Sequence, residues 1–305
     1  MRDSKLNVVT GAFGYTGKYI TQRLLSMGER VRTLTGHPNR PNPFGHQVSV
    51  FPFNFDNPSE LIKSLKGATT LYNTYWVRFS HGQITFDKAV ENTKILIGAA
   101  EEAGIRRIVH ISILNPSEKS PFPYFRGKAL VEKIITHSKL SYAILRPSVI
   151  FGAESILINN IAWLLRKFPI FTIPGSGDYQ IQPIFVEDVA RIAVSAGHRN
   201  DNIIIDVAGL ETYTFNKLIR LITGKIHCRV KIVHLPPAAV FFLAKLIGIA
   251  VKDKVITWEE INGLMSNLLI SKKEPMGWTR LSKWLEQNAD TIGLKYYSEI
   301  ARHYA

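Results

Sequence analysis

The first half of the chain alternates short apolar runs with longer segments in which apolar residues recur at helical spacing. This alternation is typical of βαβ units, in which helices connect the strands of a parallel sheet. The apolar runs predict strands over 6–10, 31–35, 48–53, 70–74, 107–113 and 142–145. The segments between them predict helices over 18–27, 59–65, 86–103 and 127–137. We therefore expect an α/β fold with a doubly wound parallel sheet.

The alternation weakens after residue 145. Residues 185–196 and 215–223 predict helices, and residues 203–207 predict a late buried strand. Residues 151–177 and about 209–305 predict a smaller, more irregular region. We expect residues 1–150 to form one domain, to which the chain returns near 178–208, and residues 151–305 to form a second, mostly helical region.

A glycine-rich turn follows the first predicted strand and precedes the first predicted helix. Its glycines are Gly11, Gly14 and Gly17. Backbone N–H groups at such a turn, together with the helix dipole, favour a pyrophosphate. The turn residues predicted to bind the cofactor are Gly11, Phe13, Gly14, Tyr15, Thr16 and Gly17. This context predicts a Rossmann-type dinucleotide-binding domain over 1–150, whereas an ordinary structural turn is the alternative.

The end of the second predicted strand indicates which dinucleotide is preferred. An acidic residue there would accept hydrogen bonds from the adenosine ribose of NAD, and this chain has none at that place. Thr35, His37 and Arg40 could instead donate to a 2′-phosphate. The sequence therefore favours NADP(H) over NAD(H), unless His37 and Arg40 merely belong to an exposed loop.

Tyr124 and Lys128 are the candidate catalytic pair. They are four residues apart, so on a helix they share one face, where the ammonium would favour the phenolate of the tyrosine. Such a tyrosine can exchange a proton with a carbinol or carbonyl oxygen. Ser112, at the end of the fifth predicted strand, is expected to orient that oxygen, with Ser117 as a competing candidate.

The net charge of +14 favours anionic partners such as a phosphorylated cofactor or acidic lipid. The alternative is a basic surface with no specific partner. Nucleic acid is not an expected partner, because no nucleic-acid-binding module is recognisable. The single cysteine, Cys228, fits a reducing, cytoplasmic location, and no residues have the spacing of metal ligands. Residues 1–4 are polar, so no signal peptide is expected.

Residues 235–251 are almost entirely apolar. A helix from Pro237 would span about 22 Å, which is shorter than the ~30 Å hydrocarbon core of a bilayer, and Lys245 lies in its middle. The sequence favours a lid helix over an apolar substrate. Shallow insertion into a membrane surface is the second interpretation, supported by the basic surplus and by the apolar-basic residues 163–167. A subunit interface is the third.

Several segments together resemble the short-chain dehydrogenase/reductase superfamily, in its extended or atypical branch. The resemblance covers roughly residues 5–220. Within the superfamily, the chain is most similar to the group that contains NmrA-like proteins and the nucleotide-binding accessory subunit of respiratory complex I. The matching segments are 11–17, 54–55, 72–74, 90–93, 124–128, 146–152, 182–190 and 206–214.

The resemblance implies roles for further residues. Asn54 and Phe55 would flank the adenine, and Thr74 would line the ribose. Lys128 would bind the nicotinamide ribose, and Pro147 and Ser148 would border the carboxamide.

His110 is expected to be a hydrogen-bonded core histidine, and Glu187 and Asp188 are expected to cap a helix.

Three functions follow from these patterns. The first is an NADP(H)-dependent oxidoreductase acting on an apolar carbonyl or carbinol. The second is a cofactor-binding scaffold or sensor without turnover, because the tyrosine and lysine also persist in relatives that bind cofactor without evident turnover. The third is a sugar-nucleotide epimerase or dehydratase, and it is weakened because residues 110–115 lack the Ser/Thr-rich run with an acidic residue that sugar-nucleotide dehydratases use.

Overall fold

The structure is a computed structural model and describes residues 4–303. It contains two compact units. Unit one consists of the chain up to Pro147 together with Glu187–Asp206, and unit two consists of Ser148–Val186 and the chain from Val207 onward. The polypeptide therefore leaves unit one once and returns to it.

The strands of the described residues, in chain order, are β1 (Leu6–Thr10), β2 (Arg30–Thr35), β3 (Val48–Pro52), β4 (Thr70–Asn73), β5 (Arg107–Ile111), β6 (Ser141–Pro147), β7 (Ile150–Phe151), β8 (Ile170–Pro174), β9 (Gln180–Ile181), β10 (Ile184–Phe185), β11 (Ile203–Val207), β12 (Tyr213–Thr214) and β13 (Lys231–Leu235). The helices are α1 (Tyr15–Ser26), α2 (Pro58–Leu65), α3 (Phe86–Glu102), α4 (Pro123–Thr136), α5 (Ile156–Lys167), α6 (Val186–Gly197), α7 (Phe215–Lys225), α8 (Pro237–Val251), α9 (Trp258–Met265), α10 (Leu281–Gln287) and α11 (Glu299–His303).

Unit one is built on a seven-stranded sheet with the order β11-β6-β5-β4-β1-β2-β3. From β3 to β6 every neighbouring pair is parallel. The order reverses between β1 and β4, and in open sheets of this kind ligands bind outside the carboxyl ends of the strands at such a switch point. The predicted doubly wound, Rossmann-type sheet is confirmed.

The core of unit one lies between this sheet and its helices. It is formed by aliphatic side chains that the sequence placed on strands or on one helix face, among them Leu34, Leu61, Leu71, Leu96 and Ile108. The predicted strands agree with the observed ones to within a few residues. The helix α1 begins three residues before its predicted start, because the chain enters it directly from an extended Gly14.

The helix α4 begins at Pro123, four residues before its predicted start at Gly127. Gly127 is an internal helix residue, where a Cβ would lie 2.8 Å from the ring of Trp76. Its glycine therefore permits close packing and does not mark a helix start. Glu187 and Asp188 lie in the first turn of α6, where acidic side chains favour the helix dipole.

Arg107, on β5, is fully buried in unit one. Its guanidinium donates to the carbonyl oxygens of Ala196 and Asp201, at 2.7 Å and 3.0 Å, and to the hydroxyl of Ser141. A buried charge is tolerated only when it is hydrogen-bonded in this way. Arg107 therefore joins the first stretch of unit one to the stretch that returns.

Unit two contains three small two-stranded sheets, β7 with β10, β8 with β13 and β9 with β12. Its core includes Phe151, Ile158, Leu218 and Trp284. The sequence predicted a mostly helical, more irregular region here, and the structure agrees; helices α5, α9 and α10 are additional elements that the pattern did not locate. These helices are short or interrupted by polar residues, so their periodicity is weak.

The helix α8 runs from Pro237 to Val251, as predicted. It buries one narrow stripe, Val240, Ala244 and Gly248, while Phe242, Leu246 and Ile249 are exposed. The exposed face is therefore uncovered in this chain, and the lid role stays a prediction. Among residues 4–303, no helix combines the length and apolar character needed to cross a bilayer.

Candidate functional site

The glycine turn connects β1 to α1 with a backbone conformation that residues other than glycine rarely adopt. Gly11 has a φ of +64°, and its N–H donates to the carbonyl of Leu34 at 2.8 Å. A Cβ on Gly17 would lie 2.2 Å from the carbonyl oxygen of Gly11, so only glycine lets α1 pack this closely on the turn. Gly14 gives the helix no side-chain cap, and the first turn of α1 contains no acidic residue. The turn therefore has the features of a site for a phosphate group.

Thr10 joins the carboxyl ends of β1 and β4. Its hydroxyl accepts hydrogen bonds from the N–H groups of Thr74, at 2.8 Å, and Tyr75, at 3.0 Å. The Thr74 hydroxyl donates back to the carbonyl of Thr10 at 2.5 Å. Thr74 thus lies at the switch point, as its predicted role requires, but its hydroxyl hydrogen is already engaged.

The loop after β2 contains the residues predicted to recognise a 2′-phosphate. Thr35 is buried, and its hydroxyl accepts from the N–H of His37 at 3.1 Å, while the N–H of Arg40 donates to the carbonyl of His37 at 3.2 Å. Farther along the loop, the ring of Phe44 lies 6.4 Å from that of Phe13 in the glycine turn. The far end of the loop therefore packs against the turn, and the binding of a 2′-phosphate by His37 and Arg40 stays a prediction.

A cavity of about 600 Å³ opens at the carboxyl ends of β2 and β3. We call it the Asn54 cavity, and its lining includes Thr35, Gly36, Asn54, Phe55, Asn92 and Ile95. Three of the residues predicted to bind the cofactor, Thr35, Asn54 and Phe55, therefore share one cavity. Asn54 has a φ of +47°, a conformation that asparagine tolerates better than most residues.

Aromatic rings form one side of this region. Phe53 stacks on Phe55 with 4.8 Å between the ring centroids, and Tyr75 packs against both rings. The Tyr75 hydroxyl accepts a hydrogen bond from the amide of Asn92 at 2.9 Å, and burial raises the pKa of Tyr75. This group offers flat apolar surface, with a few polar atoms, to a planar ring.

Lys128 and Tyr124 meet at Trp76. Lys128 is 2% exposed, its Nζ donates to the carbonyl of Ile111 at 2.8 Å and lies 4.6 Å from the centroid of the Trp76 ring. The Tyr124 ring meets the same indole edge-on at 5.9 Å, and Phe86 and Phe125 pack around it. We call these four rings with Lys128 the Trp76 cluster. Burial lowers the pKa of Lys128 to about 7, and Glu132 opposes that shift.

Ser112 follows β5 and is buried. Its hydroxyl donates to the carboxylate of Glu132, which also accepts from Arg146 at 2.5 Å and 3.0 Å. Glu132 is one helical turn beyond Lys128 on α4. Because its hydrogen is donated to Glu132, the Ser112 hydroxyl can only accept a hydrogen bond from a substrate. The competing Ser117 is exposed, and its Oγ accepts from the N–H of Lys119 in its own turn.

His110 departs from the expectation of a fully hydrogen-bonded core residue. Its Nδ1 lies 3.2 Å from the amide nitrogen of Asn73, which makes Nδ1 the acceptor, but the buried Nε2 has no partner in the described structure. Burial, reinforced by the charge of Lys128, lowers the pKa of His110 well below its ordinary value. His110 is therefore held neutral beside the Trp76 cluster.

Pro147 and Ser148 were predicted to border the carboxamide. Pro147 ends β6 in unit one, where its carbonyl accepts from the N–H of Leu114 at 3.2 Å. Ser148 begins unit two, where its hydroxyl donates to the carbonyl of Gln182 and its N–H donates to that of Val207. Both polar groups of Ser148 therefore have structural partners, and a carboxamide role stays a prediction for both residues.

Sequence reasoning missed Trp76, Tyr75, Asn92 and Glu132. Trp76 and Tyr75 follow the end of β4, at the switch point. Their position after a strand next to the switch point is a signal by which they could have been predicted from the sequence. Glu132 continues the four-residue spacing of Tyr124 and Lys128 along α4. Within residues 4–303, no group of three or more His, Cys, Asp or Glu side chains is arranged to hold a metal ion.

Comparison with known proteins supports a nucleotide site at this edge. Residues 11–156 match the model of a family described as NAD(P)H-binding. The match begins at the first glycine of the turn and includes the Asn54 cavity and the Trp76 cluster.

Two relatives over most of the chain have names that place them in mitochondria. The chain is 26% identical over 283 residues to NADH dehydrogenase [ubiquinone] 1 alpha subcomplex subunit 9 of Arabidopsis thaliana, covering 86% of this chain and 70% of the relative. It is also 26% identical to the same subunit of Mus musculus, covering 81% and 70%.

Two solved structures share the fold. A triphenylmethane reductase from Citrobacter sp., solved with NADP(H), has a TM-score of 0.76 at 16% identity, covering 92% of this chain and 99% of that one. A nucleoside-diphosphate-sugar epimerase from Staphylococcus aureus has a TM-score of 0.74 at 16% identity, covering 92% and 99%. The predicted resemblance is thus confirmed: residues 11–156 match the NAD(P)H-binding family, the chain is similar to the subunit 9 proteins over most of its length, and it shares its fold with a reductase and an epimerase.

Proposed function

We propose that the protein is an NADP(H)-dependent oxidoreductase that interconverts an apolar carbonyl and its carbinol. One observation carries this proposal: Tyr124 and a buried Lys128 meet on Trp76 next to the end of β5. The glycine turn follows β1 at the same edge of the same parallel sheet. A proton-transferring tyrosine and a phosphate-binding turn at one edge are the parts that a hydride-transferring enzyme needs.

The residues present fit a dinucleotide. The N–H groups of the turn, at Phe13, Tyr15 and Thr16, would hold the pyrophosphate, and the Asn54 cavity would hold the adenosine. We assign the remaining contacts to Thr35, His37 and Arg40 for a 2′-phosphate, to Thr74 and Lys128 for the riboses, and to Pro147 for the carboxamide. The hydroxyl and N–H of Ser148 already have partners within unit two. The cofactor, when bound, would supply or accept the hydride.

Tyr124, Lys128 and Ser112 have different roles in the proposed proton transfer. Tyr124 gives a proton to the reacting oxygen during reduction and takes it back during oxidation. Lys128, with a pKa of about 7, favours the phenolate of Tyr124 most strongly below that pH, where the lysine is charged. Ser112 donates its hydroxyl hydrogen to Glu132, so it can accept a hydrogen bond from the hydroxyl of a carbinol but has no hydrogen to donate to a carbonyl oxygen.

A non-catalytic cofactor-binding scaffold is the second candidate. It is favoured by the homology to proteins named as subunits of NADH dehydrogenase and by the inward hydrogen bonds of Lys128 and Ser112. A sugar-nucleotide epimerase is the third and draws only on a shared fold. A cytoplasmic location is part of the first proposal and is supported by the single cysteine.

The experiment is NADPH oxidation measured across a panel of apolar ketones and aldehydes. We expect Tyr124→Phe to lower kcat by about 10²–10⁴-fold and to leave NADPH affinity nearly unchanged. Tyr142→Phe, on β6, is the matched control and should keep full activity. Undiminished turnover in Tyr124→Phe would remove the catalytic assignment, and NADPH binding without turnover on any member of the panel would favour the scaffold.

A further inference from the structure

The helix α8 has an outward face without charge. At 100° per residue, Ala238, Phe242, Leu246, Ile249 and Ala250 project to one side, opposite the buried Val240, Ala244 and Gly248. Phe242 is 62% exposed, Leu246 49% and Ile249 77%. Large apolar side chains this exposed and this contiguous mark an interaction surface. We call it the α8 face.

The edges of the α8 face are basic. Lys245 lies at the side of the helix, with its Nζ 4.6 Å from the centroid of the Phe241 ring. Exposed Lys252 and Lys254 follow the helix end, and α8 itself contains no acidic residue. Asp253 between them is buried, because it accepts from the hydroxyl of Tyr296 and from backbone N–H groups of α11.

An aromatic residue completes the edge. Trp258, at the start of α9, is exposed and packs against Phe241 with 5.7 Å between the centroids. The neighbouring Glu259 is an exposed acid, set against three lysines. An apolar centre with lysine and tryptophan at its margin is the pattern of helices that lie in the headgroup region of a membrane.

We propose that the α8 face docks this protein on a membrane containing anionic phospholipid. Phe242, Leu246 and Ile249 enter the boundary between headgroups and acyl chains, and Lys245, Lys252 and Lys254 meet lipid phosphates. A second copy of the chain fits less well, because it would bring the same lysines to the same surface, where like charges repel. The proposal does not depend on the proposed oxidoreductase activity.

The test is flotation of the full chain with vesicles of phosphatidylcholine alone or with phosphatidylglycerol, at low and high salt. We expect binding that requires phosphatidylglycerol and weakens with salt. Phe242→Ser with Ile249→Ser should weaken it by about a hundredfold or more, since each buried side chain accounts for roughly tenfold. Lys245→Glu with Lys252→Glu should weaken it by about tenfold or more.

Ile204→Ser is the matched control, because Ile204 is a 42% exposed apolar residue on β11 of unit one. It should bind as the wild type does, and equal melting temperatures would show that all the variants fold. No binding to phosphatidylglycerol vesicles at low salt, equal binding to neutral vesicles, or binding retained in the double-serine variant would overturn the proposal. A wild-type dimer that becomes monomeric in the double-serine variant by sedimentation velocity would assign the face to a second copy instead.

Discussion

The Asn54 cavity and the Trp76 cluster lie at the same sheet edge of unit one, but the cavity is open and the cluster is closely packed. The cavity offers about 600 Å³ of open space. In the cluster, Lys128 is bonded to the Ile111 carbonyl and Ser112 to Glu132. A ligand can enter the cavity without breaking these bonds, whereas contact with Lys128 must use its remaining N–H groups. We infer that the cavity determines affinity and the cluster determines rate.

The largest effect is expected at Gly17, in the glycine turn at the same edge of the sheet. In Gly17→Ala, the new methyl group would need the place of the Gly11 carbonyl oxygen, 2.2 Å away, so α1 must move off the turn. We expect NADPH affinity to fall by about 10²-fold or more, measured by fluorescence titration. Gly98→Ala, in α3, is the control, because nothing lies within 4 Å of that position. Equal affinity in the two variants would contradict the role of the turn.

Arg40→Ala tests the proposed 2′-phosphate contact in the loop after β2. If Arg40 binds a 2′-phosphate, its loss removes a charge-assisted hydrogen bond of about 1.5–3 kcal/mol, which is roughly ten- to a hundredfold in affinity. NADPH titration should show this loss and NADH titration should not, while Arg220→Ala, an exposed arginine of unit two, should change neither. Equal affinity of the wild type for NADPH and NADH would reject the predicted preference.

Lys128→Met tests the burial of charge in the Trp76 cluster. The pKa of Lys128 is about 7, against an ordinary value of 10.5. Between these pH values the unfolded chain holds a proton that the folded chain has lost, so the free energy of unfolding rises with pH. From pH 7.5 to 9 the wild type should gain about 2 kcal/mol relative to Lys128→Met, measured by urea denaturation.

The control for this pH profile is Lys133→Met, an exposed lysine on the same helix, which should follow the wild type. Parallel profiles of the wild type and Lys128→Met would show that Lys128 keeps its ordinary protonation. In that case, the Trp76 cluster would not differ from the cavity by holding a lysine of lowered pKa.

The smallest effect is expected for Ser112→Ala. Its hydroxyl hydrogen is given to Glu132, so we expect a stability loss of about 1 kcal/mol in thermal denaturation and less than about a tenfold change in kcat. A loss of kcat comparable with that of Tyr124→Phe would show that Ser112 takes part directly in the reaction. It would also show that the cluster rearranges during turnover.

The sheet of unit one could be predicted from the sequence because its central strands β1, β4 and β5 are buried on both faces and are rich in apolar residues. The small sheets of unit two could not, since strands such as β7 and β9 are only two residues long. The helices α1 and α4 begin earlier than predicted. Gly17 and Gly127 lie inside these helices, whereas glycine in a sequence usually indicates a helix boundary.

The cofactor-binding candidates Thr35, Asn54 and Phe55 share one cavity because each follows a strand whose end could be located in the sequence. The partner of Ser112 could not be predicted in the same way. Glu132 reaches Ser112 from another element, and such a contact depends on the packing of α4 against β5 and not on local spacing. The role of Trp76 likewise depends on a ring packing against Gly127 from a distant segment.

The buried Arg107 has a consequence for how this chain is made. Its partners Ala196 and Asp201 are about 90 residues downstream, beyond the whole first stretch of unit two. During synthesis on a ribosome, the guanidinium cannot complete its hydrogen bonds until that later stretch has emerged. A nascent chain that stops at Pro147 would lack these partners and the edge strand β11, so we expect unit one to stay incompletely folded and to depend on chaperones until translation has passed Asp206.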